Sequence, residues 1–171
     1  MTELNHRKPK FEPKPLKVLF VCTGNTCRSP MAQVLAKEIH GKTAHLPQAE
    51  YTSAGLSAND GDEASESAKK VMAEMGLSLD EHHAKLVTED MLNKADLVFT
   101  MTNQHRSMLL SRFQGLAAKT FVLNRYVGAE QTDIPDPYGQ SLEVYRHTAL
   151  QLKDSLSALM DKLATLLQDQ S

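Results

Sequence analysis

The sequence predicts an α/β fold built on a parallel sheet, and three observations support that prediction. Short apolar segments alternate along the chain with segments of helical periodicity, as they do when helices join the strands of a sheet. The first strand contains an unbroken apolar run, Val18–Val21, of the kind that is buried on both faces of a sheet. The last periodic segment, 142–166, carries an apolar stripe that needs a surface to cover. We therefore expect three layers, with a four-stranded parallel sheet flanked by about five helices.

Length and composition favour a single globular domain. The chain has 171 residues, and we predict one domain at 16–171 after a flexible, Pro-rich extension at 1–15. The net charge of -2 gives no reason to expect nucleic acid or an acidic membrane surface as a partner. The sequence contains no apolar signal segment or membrane span, and its two cysteines share one loop, so we expect a cytoplasmic protein. Nothing in the sequence indicates the oligomeric state.

The strands and helices can be placed in order from the apolar pattern and the turn residues. Strands are predicted at 16–21, 50–54, 96–100 and 119–123. Helices are predicted at 30–40, 62–75, immediately after Thr88, at 102–113 and over the final stripe. A turn is expected at 59–61, where Asn, Asp and Gly follow one another.

Capping residues set the expected limits of these helices. Ser29 is the predicted N-cap of the first helix, and Gly41 is expected to end it. Gly76 is a C-cap candidate for the second helix, and Thr88 a predicted N-cap for the third. The stripe of the last helix is expected to dock on the sheet, although a coiled-coil partner helix would produce the same pattern; its members are Leu142, Tyr145, Ala149, Leu152, Leu156, Leu159, Leu163 and Leu166.

The loop between the first strand and the first helix carries the most specific chemistry in the sequence. Cys22 opens this loop and Arg28 closes it, with five residues between them. Backbone N–H groups in such a loop converge at a helix N-terminus, which favours an anion and the ionised form of a thiol. Gly24 and Asn25 suit positions of positive φ or close backbone approach, and Arg28 can hold two oxygens of an oxyanion. A lone buried Cys is usually a core residue, but this combination predicts a nucleophile beside a phosphate-sized anion site.

A second segment offers a proton donor. Asp136 lies between Pro135 and Pro137, which restrict the backbone on both sides of it. A carboxylic acid in this place could protonate a leaving group after thiolate attack on phosphorus, and its carboxylate could then activate water. Asp133 is the rival for this role. Asp136 could instead only shape a turn or cap the last helix.

At these residues the chain resembles the low-molecular-weight protein tyrosine phosphatase family. The resemblance runs from about Lys17 to about Leu167 and rests on the motifs at 21–30, 53–55 and 136–138. It implies the fold predicted above, with Cys22 as nucleophile, Arg28 as phosphate clamp and Asp136 as general acid and then base. It also implies phosphorylated proteins as substrates.

Further site residues follow from the same resemblance. Substrate contacts are expected from the loop and from the aromatic residue after Asp136, namely Thr23, Gly24, Asn25, Thr26, Cys27 and Tyr138. A supporting hydrogen-bond network under the loop is implied for Asn25, Ser29, Ser53 and His82, with His83 next to the last of these. No metal or other cofactor is implied, because thiolate phosphatases use none for this step and the His residues lack the spacing of paired ligands.

Within the family, the chain resembles the protein-arginine phosphatase branch. The feature is Thr26, where tyrosine-directed members usually carry an apolar residue. The Thr methyl narrows the entrance, and the hydroxyl can orient a polar group near a P–N bond. The expected pocket also has few aromatic residues: the loop 56–58 has none, Tyr138 is followed by Gly139, and Trp is absent. Asp136 could attract the guanidinium of phosphoarginine. Tyrosine phosphatase activity is the alternative, because Tyr138 could stack on a phenol ring.

Two other classes fit less well. An arsenate reductase would use a similar loop but needs further cysteines to relay a disulfide, and this chain has only Cys22 and Cys27. A phosphoresidue-binding module without activity would be expected to lack Cys22, Arg28 or Asp136. Cys27 itself has two interpretations: it could trap an oxidised Cys22 as a reversible disulfide, or it could pack beneath the loop.

Overall fold

A computed structural model describes residues 14–169, so most of the extension predicted at 1–15 lies outside the described residues. Strands and helices alternate through the first two thirds of this range. The elements are β1 (Leu16–Cys22), α1 (Arg28–Lys42), β2 (Ala49–Gly55), α2 (Glu66–Glu74), α3 (Glu89–Lys94), β3 (Leu97–Thr100), α4 (Asn103–Arg112), β4 (Thr120–Val122), α5 (Leu123–Tyr126) and α6 (Leu142–Gln168).

The four strands form one parallel sheet in the order β2-β1-β3-β4, which confirms the predicted sheet. β1 is a central strand. Cys22 at its end lies opposite Gly55, and Val21 lies opposite Thr100 on β3. The loops that leave the carboxyl ends of β1, β2 and β3 therefore meet at one edge, where parallel sheets bind their ligands.

Each face of the sheet is covered by a separate core, which confirms the three layers. One core joins Phe20 and Phe99 of the sheet to α1, α2 and α6. The other joins Leu19 and Val98 to α3 and α4. Alternate residues of β1 thus face opposite cores, and a strand buried on both sides has no polar face. Of the helices in residues 14–169, none combines the length and apolar character that a membrane crossing requires.

The stripe of α6 packs as the docking interpretation predicted. The members of the stripe from Tyr145 to Leu163 are buried in the same core as Phe20. α6 itself lies against α1 and α2. Full burial of one such leucine, Leu152 for example, stabilises the fold by roughly 1.5–3 kcal/mol. The ends of the stripe are less buried: Leu142 is half-buried and packs against the edge of this core, and Leu166 is exposed.

The predicted ends of α1 are wrong. α1 begins at Arg28, with Cys27 as N-cap. Its first N–H groups donate no hydrogen bond to the capping side chain. Ser29 lies inside the helix, and its hydroxyl turns toward Cys22 instead. Gly41 also lies within α1, which continues to Lys42. The error at Ser29 comes from reading a capping preference at a residue whose hydroxyl contacts Cys22 and Asn25.

The remaining helix limits differ less from the prediction. α2 begins at Glu66 rather than 62, because Ser65 is its N-cap and Glu63 pairs with His83 instead. Gly76 follows the last turn of α2 with a φ of 77°, as expected for a glycine that ends a helix. Thr88 caps α3 through its side chain, which was predicted. The four-residue helix α5 was not predicted, so the described residues contain six helices instead of about five.

Candidate active site

The loop at residues 22–28 surrounds an open cavity at the carboxyl end of β1. Cys22 is the last residue of β1 and Arg28 the first of α1, so the five residues between them form the whole connection. The cavity has a volume of about 210 Å³. It is lined by Cys22, Thr23, Gly24, Thr26, Cys27, Arg28, Asp136 and Tyr138. Most of the residues predicted to contact substrate are thus brought together at one site.

Cys22 is held under the loop by a chain of side-chain hydrogen bonds. Its residue is only 3% exposed, and its Sγ lies 2.9 Å from the hydroxyl oxygen of Ser29. The amide Nδ2 of Asn25 donates to the same oxygen at 2.8 Å. Because Asn25 occupies an acceptor site of the hydroxyl, the Ser29 hydrogen is left for sulfur at 2.9 Å or for the Ala54 carbonyl at 3.5 Å, and sulfur is the nearer acceptor. A donor on sulfur stabilises negative charge there, as a nucleophilic thiolate requires.

Asn25 is the structural centre of the loop. It adopts a φ of 56°, a left-handed conformation that Asn tolerates better than most residues. Its side-chain oxygen accepts a hydrogen bond from the backbone N–H of Lys85 at 3.0 Å. Its backbone oxygen accepts one from Nε2 of His82 at 2.7 Å. Burial is the main cause that lowers the pKa of His82.

The predicted supporting network is present in part. The structure connects Asn25, Ser29 and His82, and it places His83 on the surface near the Gly61 carbonyl. Ser53 requires a correction: its hydroxyl donates to Oε1 of Gln33 at 2.6 Å rather than to the loop. The register of β2 explains this, because Ser53 pairs with Phe20, two residues before the Cys22–Gly55 pair, so its hydroxyl meets α1 instead of the loop.

Gly55 sits so close to the loop that no larger residue fits without movement. A Cβ atom there would lie 2.6 Å from the Thr23 carbonyl oxygen and 2.9 Å from the Asn25 nitrogen. The backbone bonds from Leu56 to the Cys22 carbonyl and from Ser57 to the Thr23 carbonyl, both 2.9 Å, depend on this approach. The glycine in the predicted motif at 53–55 therefore serves the close packing of two backbones.

Arg28 links the loop to the segment that carries Asp136. Its Nη1 donates to the Ile134 carbonyl at 3.0 Å, and its Nη2 lies 3.5 Å from Oδ2 of Asp136. The guanidinium is buried, whereas the Asp136 side chain is 51% exposed. One bond to a backbone carbonyl fixes the orientation of Arg28 and leaves its other N–H groups for an anion in the cavity.

The segment 133–138 assigns different contacts to its two aspartates. Oδ1 of Asp136 accepts from the backbone N–H of Tyr138 at 3.1 Å, so Asp136 does shape a turn, as the alternative interpretation held. It does not cap α6, whose N-cap is Ser141. Asp133 instead accepts from the backbone N–H of Asn103, at 2.9 Å, at the start of α4. Asp136 lines the cavity, and its rival does not.

Comparisons with known proteins agree with this geometry. The model of the low molecular weight phosphotyrosine protein phosphatase family matches residues 17–170. The chain belongs to this family. A protein-arginine-phosphatase of Geobacillus stearothermophilus is 41% identical, with 90% of this chain and 97% of the relative covered. A low molecular weight protein-tyrosine-phosphatase, PtpB of Staphylococcus haemolyticus, is 40% identical, with 80% and 92% covered.

A solved structure supports the fold and the chemistry together. It is an active-site mutant of the YwlE arginine phosphatase that carries a phosphorylated active-site serine. It superimposes with a TM-score of 0.82 at 36% identity and covers 86% of this chain and 95% of that chain. This chain is therefore a protein phosphatase of the low-molecular-weight family, and a cysteine-based mechanism fits its loop.

Thr26 and Cys27 lie side by side in the wall of this phosphatase cavity but make different contacts. The Thr26 carbonyl accepts from the backbone N–H of Ser65 at 2.9 Å, which holds the backbone of Thr26, and its Oγ1 lies 3.7 Å from Sγ of Cys27 in the wall. Sγ of Cys27 lies 3.3 Å from both Ser65 Oγ and Tyr145 Oη. Burial, followed by the Cys27 contact, raises the pKa of Tyr145 to about 12. Both cysteines are free thiols, so the disulfide interpretation of Cys27 stays a prediction.

His105 is a residue beside the cavity that the sequence did not reveal. Its Nε2 lies 2.8 Å from Oγ1 of Thr23, and burial, followed by repulsion from Arg28, lowers its pKa to about 4. Only the position of His105 in the sequence indicates a role: it follows the Thr102 cap at the carboxyl end of β3, the edge of a parallel sheet where ligands bind. Helical periodicity alone assigns it no role.

Proposed function

We propose that the chain is a protein-arginine phosphatase that works through a phosphocysteine intermediate. In the first step the Cys22 thiolate attacks phosphorus, and the P–N bond to the arginine side chain breaks. Asp136, protonated at this stage, gives its proton to the leaving nitrogen. Arg28 and the loop N–H groups hold the phosphoryl oxygens as charge shifts among them.

The second step returns the enzyme to its starting state. The Asp136 carboxylate takes a proton from water, and the resulting hydroxide attacks the phosphocysteine. The S–P bond breaks, phosphate leaves, and the Cys22 thiolate and the Asp136 acid are restored. The half-exposed position of Asp136, 3.5 Å from Arg28, supports both roles, because the carboxyl group can reach a leaving group and solvent.

The observation that carries the arginine assignment is the composition of the cavity wall. Thr26 supplies a β-branched side chain with a hydroxyl, and Tyr138 supplies the aromatic surface among the described residues that line the cavity. The loop at 56–58 supplies no aromatic side chain, and its first residue, Leu56, is buried in the core that contains Leu19 and Val98. A polar, planar guanidinium does not need aromatic neighbours to bind in such a pocket. A phenol ring gains little binding free energy there, because few aromatic side chains are present for it to stack on. The similarity to a relative named protein-arginine-phosphatase points the same way.

Phosphotyrosine is the second candidate substrate, and one observation favours it. The Tyr138 side chain is at the rim of the cavity and 72% exposed, so its ring is available to stack on a phenol. The 40% identical relative named as a tyrosine phosphatase is consistent with this alternative.

A comparison of kcat/KM on two matched peptides tests the proposal. One peptide carries phosphoarginine and the other phosphotyrosine in the same flanking sequence. We expect the wild type to prefer phosphoarginine, and Thr26→Ile to lower the arginine-to-tyrosine ratio by roughly tenfold, the effect of about one lost polar contact.

A matched control makes the same change outside the cavity. Thr52 is exposed on β2, where isoleucine is well tolerated, so Thr52→Ile should leave the ratio unchanged. A wild type that prefers phosphotyrosine, with a ratio that Thr26→Ile does not alter, would contradict the arginine assignment and favour the tyrosine alternative.

A further inference from the structure

His105 is fixed in place by the N-terminal caps of α4. Its backbone N–H donates to the Thr102 hydroxyl oxygen at 3.1 Å, and the neighbouring N–H of Asn103 donates to Asp133. The residue is 6% exposed. Two caps on one helical turn leave the imidazole little freedom to move away from the loop at 22–28.

The two ring nitrogens of His105 have unequal surroundings. Nε2 lies 2.8 Å from Oγ1 of Thr23. Nδ1 is buried and has no hydrogen-bond partner within residues 14–169. The ring therefore contributes one hydrogen bond, and that bond is to the loop that forms the anion site.

The surroundings of the neutral ring favour a hydrogen on Nε2. Burial, followed by the nearby Arg28 charge, lowers the pKa of His105 to about 4, so the ring is neutral near pH 7. A hydrogen on Nδ1 would be a buried donor with no acceptor, which is rare in folded proteins and unfavourable. A hydrogen on Nε2 has the Thr23 oxygen as its acceptor.

This tautomer determines what the Thr23 hydroxyl can do. A hydroxyl that accepts from Nε2–H cannot send its own hydrogen back toward the ring. Thr23 is exposed and lines the cavity with Cys22 and Arg28, so its hydrogen is available to an anion in that cavity. A hydrogen bond to a charged oxygen is about twice as strong as one between neutral groups.

We propose that His105 is a positioning residue that holds the Thr23 hydroxyl as a hydrogen-bond donor to a phosphoryl oxygen in the cavity. This role rests on the proposed phosphatase function of the same cavity. His105 does not touch the phosphoryl group; it acts through Thr23. The site thus gains a side-chain donor in addition to Arg28 and the backbone N–H groups of the loop.

A double-mutant cycle tests the coupling. Thr23→Val removes the hydroxyl at nearly constant shape, and His105→Leu removes the ring donor. Each single variant is expected to lower kcat/KM by roughly tenfold, which is the loss of one hydrogen bond to a charged group. The double variant should be no worse than either single variant, because the two changes remove the same interaction.

Two further variants separate positioning from packing. The Nε2 group of glutamine can replace the imidazole donor, so His105→Gln should recover most of the lost kcat/KM. His147 is exposed on α6, and His147→Leu repeats the hydrophobic change away from the cavity and should have no effect. Losses that add in the double variant, or a His105→Gln variant as impaired as His105→Leu, would overturn the proposal.

Binding of inorganic phosphate provides a measurement that does not depend on turnover. Calorimetry should show weaker phosphate binding in Thr23→Val and His105→Leu, by a similar factor, and unchanged binding in His147→Leu. If the wild type hydrolyses neither peptide, the proposed function is wrong. The phosphate affinities of the variants still test the role of His105 in that case. Phosphate affinity that is unchanged in His105→Leu would reject that role even in an active phosphatase.

Discussion

The two segments that enclose the cavity are built in opposite ways. Most of the loop at 22–28 is buried, although Thr23 is exposed to the cavity, and Asn25 connects the loop to Ser29, His82 and Lys85. The segment at 133–138 is open, with the Asp136 and Tyr138 side chains mostly in solvent. Its backbone is restricted by prolines and by the buried Ile134, whose N–H donates to the Met101 carbonyl at 2.9 Å.

This difference matches two demands of the chemistry. Charge that shifts among phosphoryl oxygens is best stabilised by donors already in position, which a rigid, buried loop supplies. A leaving group and a water molecule must enter and depart, which an exposed carboxyl group permits. The Arg28 side chain contacts both the Ile134 carbonyl and Asp136. Arg28 therefore sets the distance between the loop at 22–28 and the segment at 133–138.

The largest expected effect lies in the loop at 22–28, at Cys22, the proposed nucleophile. Cys22→Ser should reduce hydrolysis of an aryl phosphate below detection, because a serine hydroxyl at the same place is not ionised near neutral pH. Steady-state assays with protein of confirmed fold measure this. Cys27→Ser makes the same change at the neighbouring free thiol and should keep measurable turnover. Retained turnover in Cys22→Ser would rule out the mechanism.

The open segment is expected to give the next largest effect, and one that depends on the substrate. Asp136→Asn cannot donate or accept the proton, so kcat should fall by roughly 10²–10⁴-fold on substrates with basic leaving groups. The loss should be smaller for an aryl phosphate whose phenol is acidic, because such a leaving group needs less help.

Asp133→Asn is the matched control for the acid. The asparagine oxygen can still accept from the Asn103 N–H, so we expect little change in either kcat or stability. A larger loss in Asp133→Asn than in Asp136→Asn would reverse the assignment of the two aspartates.

Rigidity of the buried loop can be tested at its closest backbone contact. Gly55→Ala places a methyl group 2.6 Å from the Thr23 carbonyl, so the loop or β2 must shift. We expect a loss of roughly 1–3 kcal/mol in the free energy of unfolding, together with lower kcat/KM. Gly41→Ala lies inside α1 with nothing within 4 Å of the new methyl and should stabilise by about 0.5–1 kcal/mol. Thermal and denaturant unfolding of both variants measure the difference.

The same contrast explains how much could be predicted. The apolar pattern was sufficient for the sheet, for both cores and for α6, because burial on two faces leaves few alternatives for such segments. The loop chemistry could also be predicted, since Cys22 and Arg28 bracket a short connection between a strand and a helix. Both features depend on residues close together in the sequence.

What could not be predicted depends on contacts between distant residues. One exception is local: the Ser29 hydroxyl contacts Asn25 and Cys22, four and seven positions away, so α1 begins without the expected N-cap. Ser53 contacts Gln33 and not the loop because β2 pairs it with Phe20, two residues before Cys22, and this register depends on a partner strand distant in the sequence. His105 reaches Thr23 across 82 positions of sequence, and no local pattern marks such a contact.

A further expected effect concerns the pH dependence of stability, and it involves a residue next to both segments. The folded protein holds the pKa of His105 near 4, against an ordinary value of 6.5, through burial and Arg28; Asp133 and Asp136 oppose this only in part. Between these values the unfolded chain binds a proton that the folded chain does not. The free energy of unfolding should therefore fall as the pH drops from about 6.5 toward 4 and should recover as the pH rises.

Replacement by a residue that does not titrate isolates this contribution. His105→Gln should show a shallower loss of stability over that pH range than the wild type, whereas His147→Gln, on the exposed face of α6, should keep the wild-type slope. Denaturant unfolding at several pH values gives both slopes. Equal slopes in His105→Gln and the wild type would mean that the ring titrates as freely in the folded protein as in the unfolded chain. In that case water reaches the His105 imidazole in the folded protein. The loop at 22–28 and the segment at 133–138 must then separate more readily than the Arg28 contacts between them suggest.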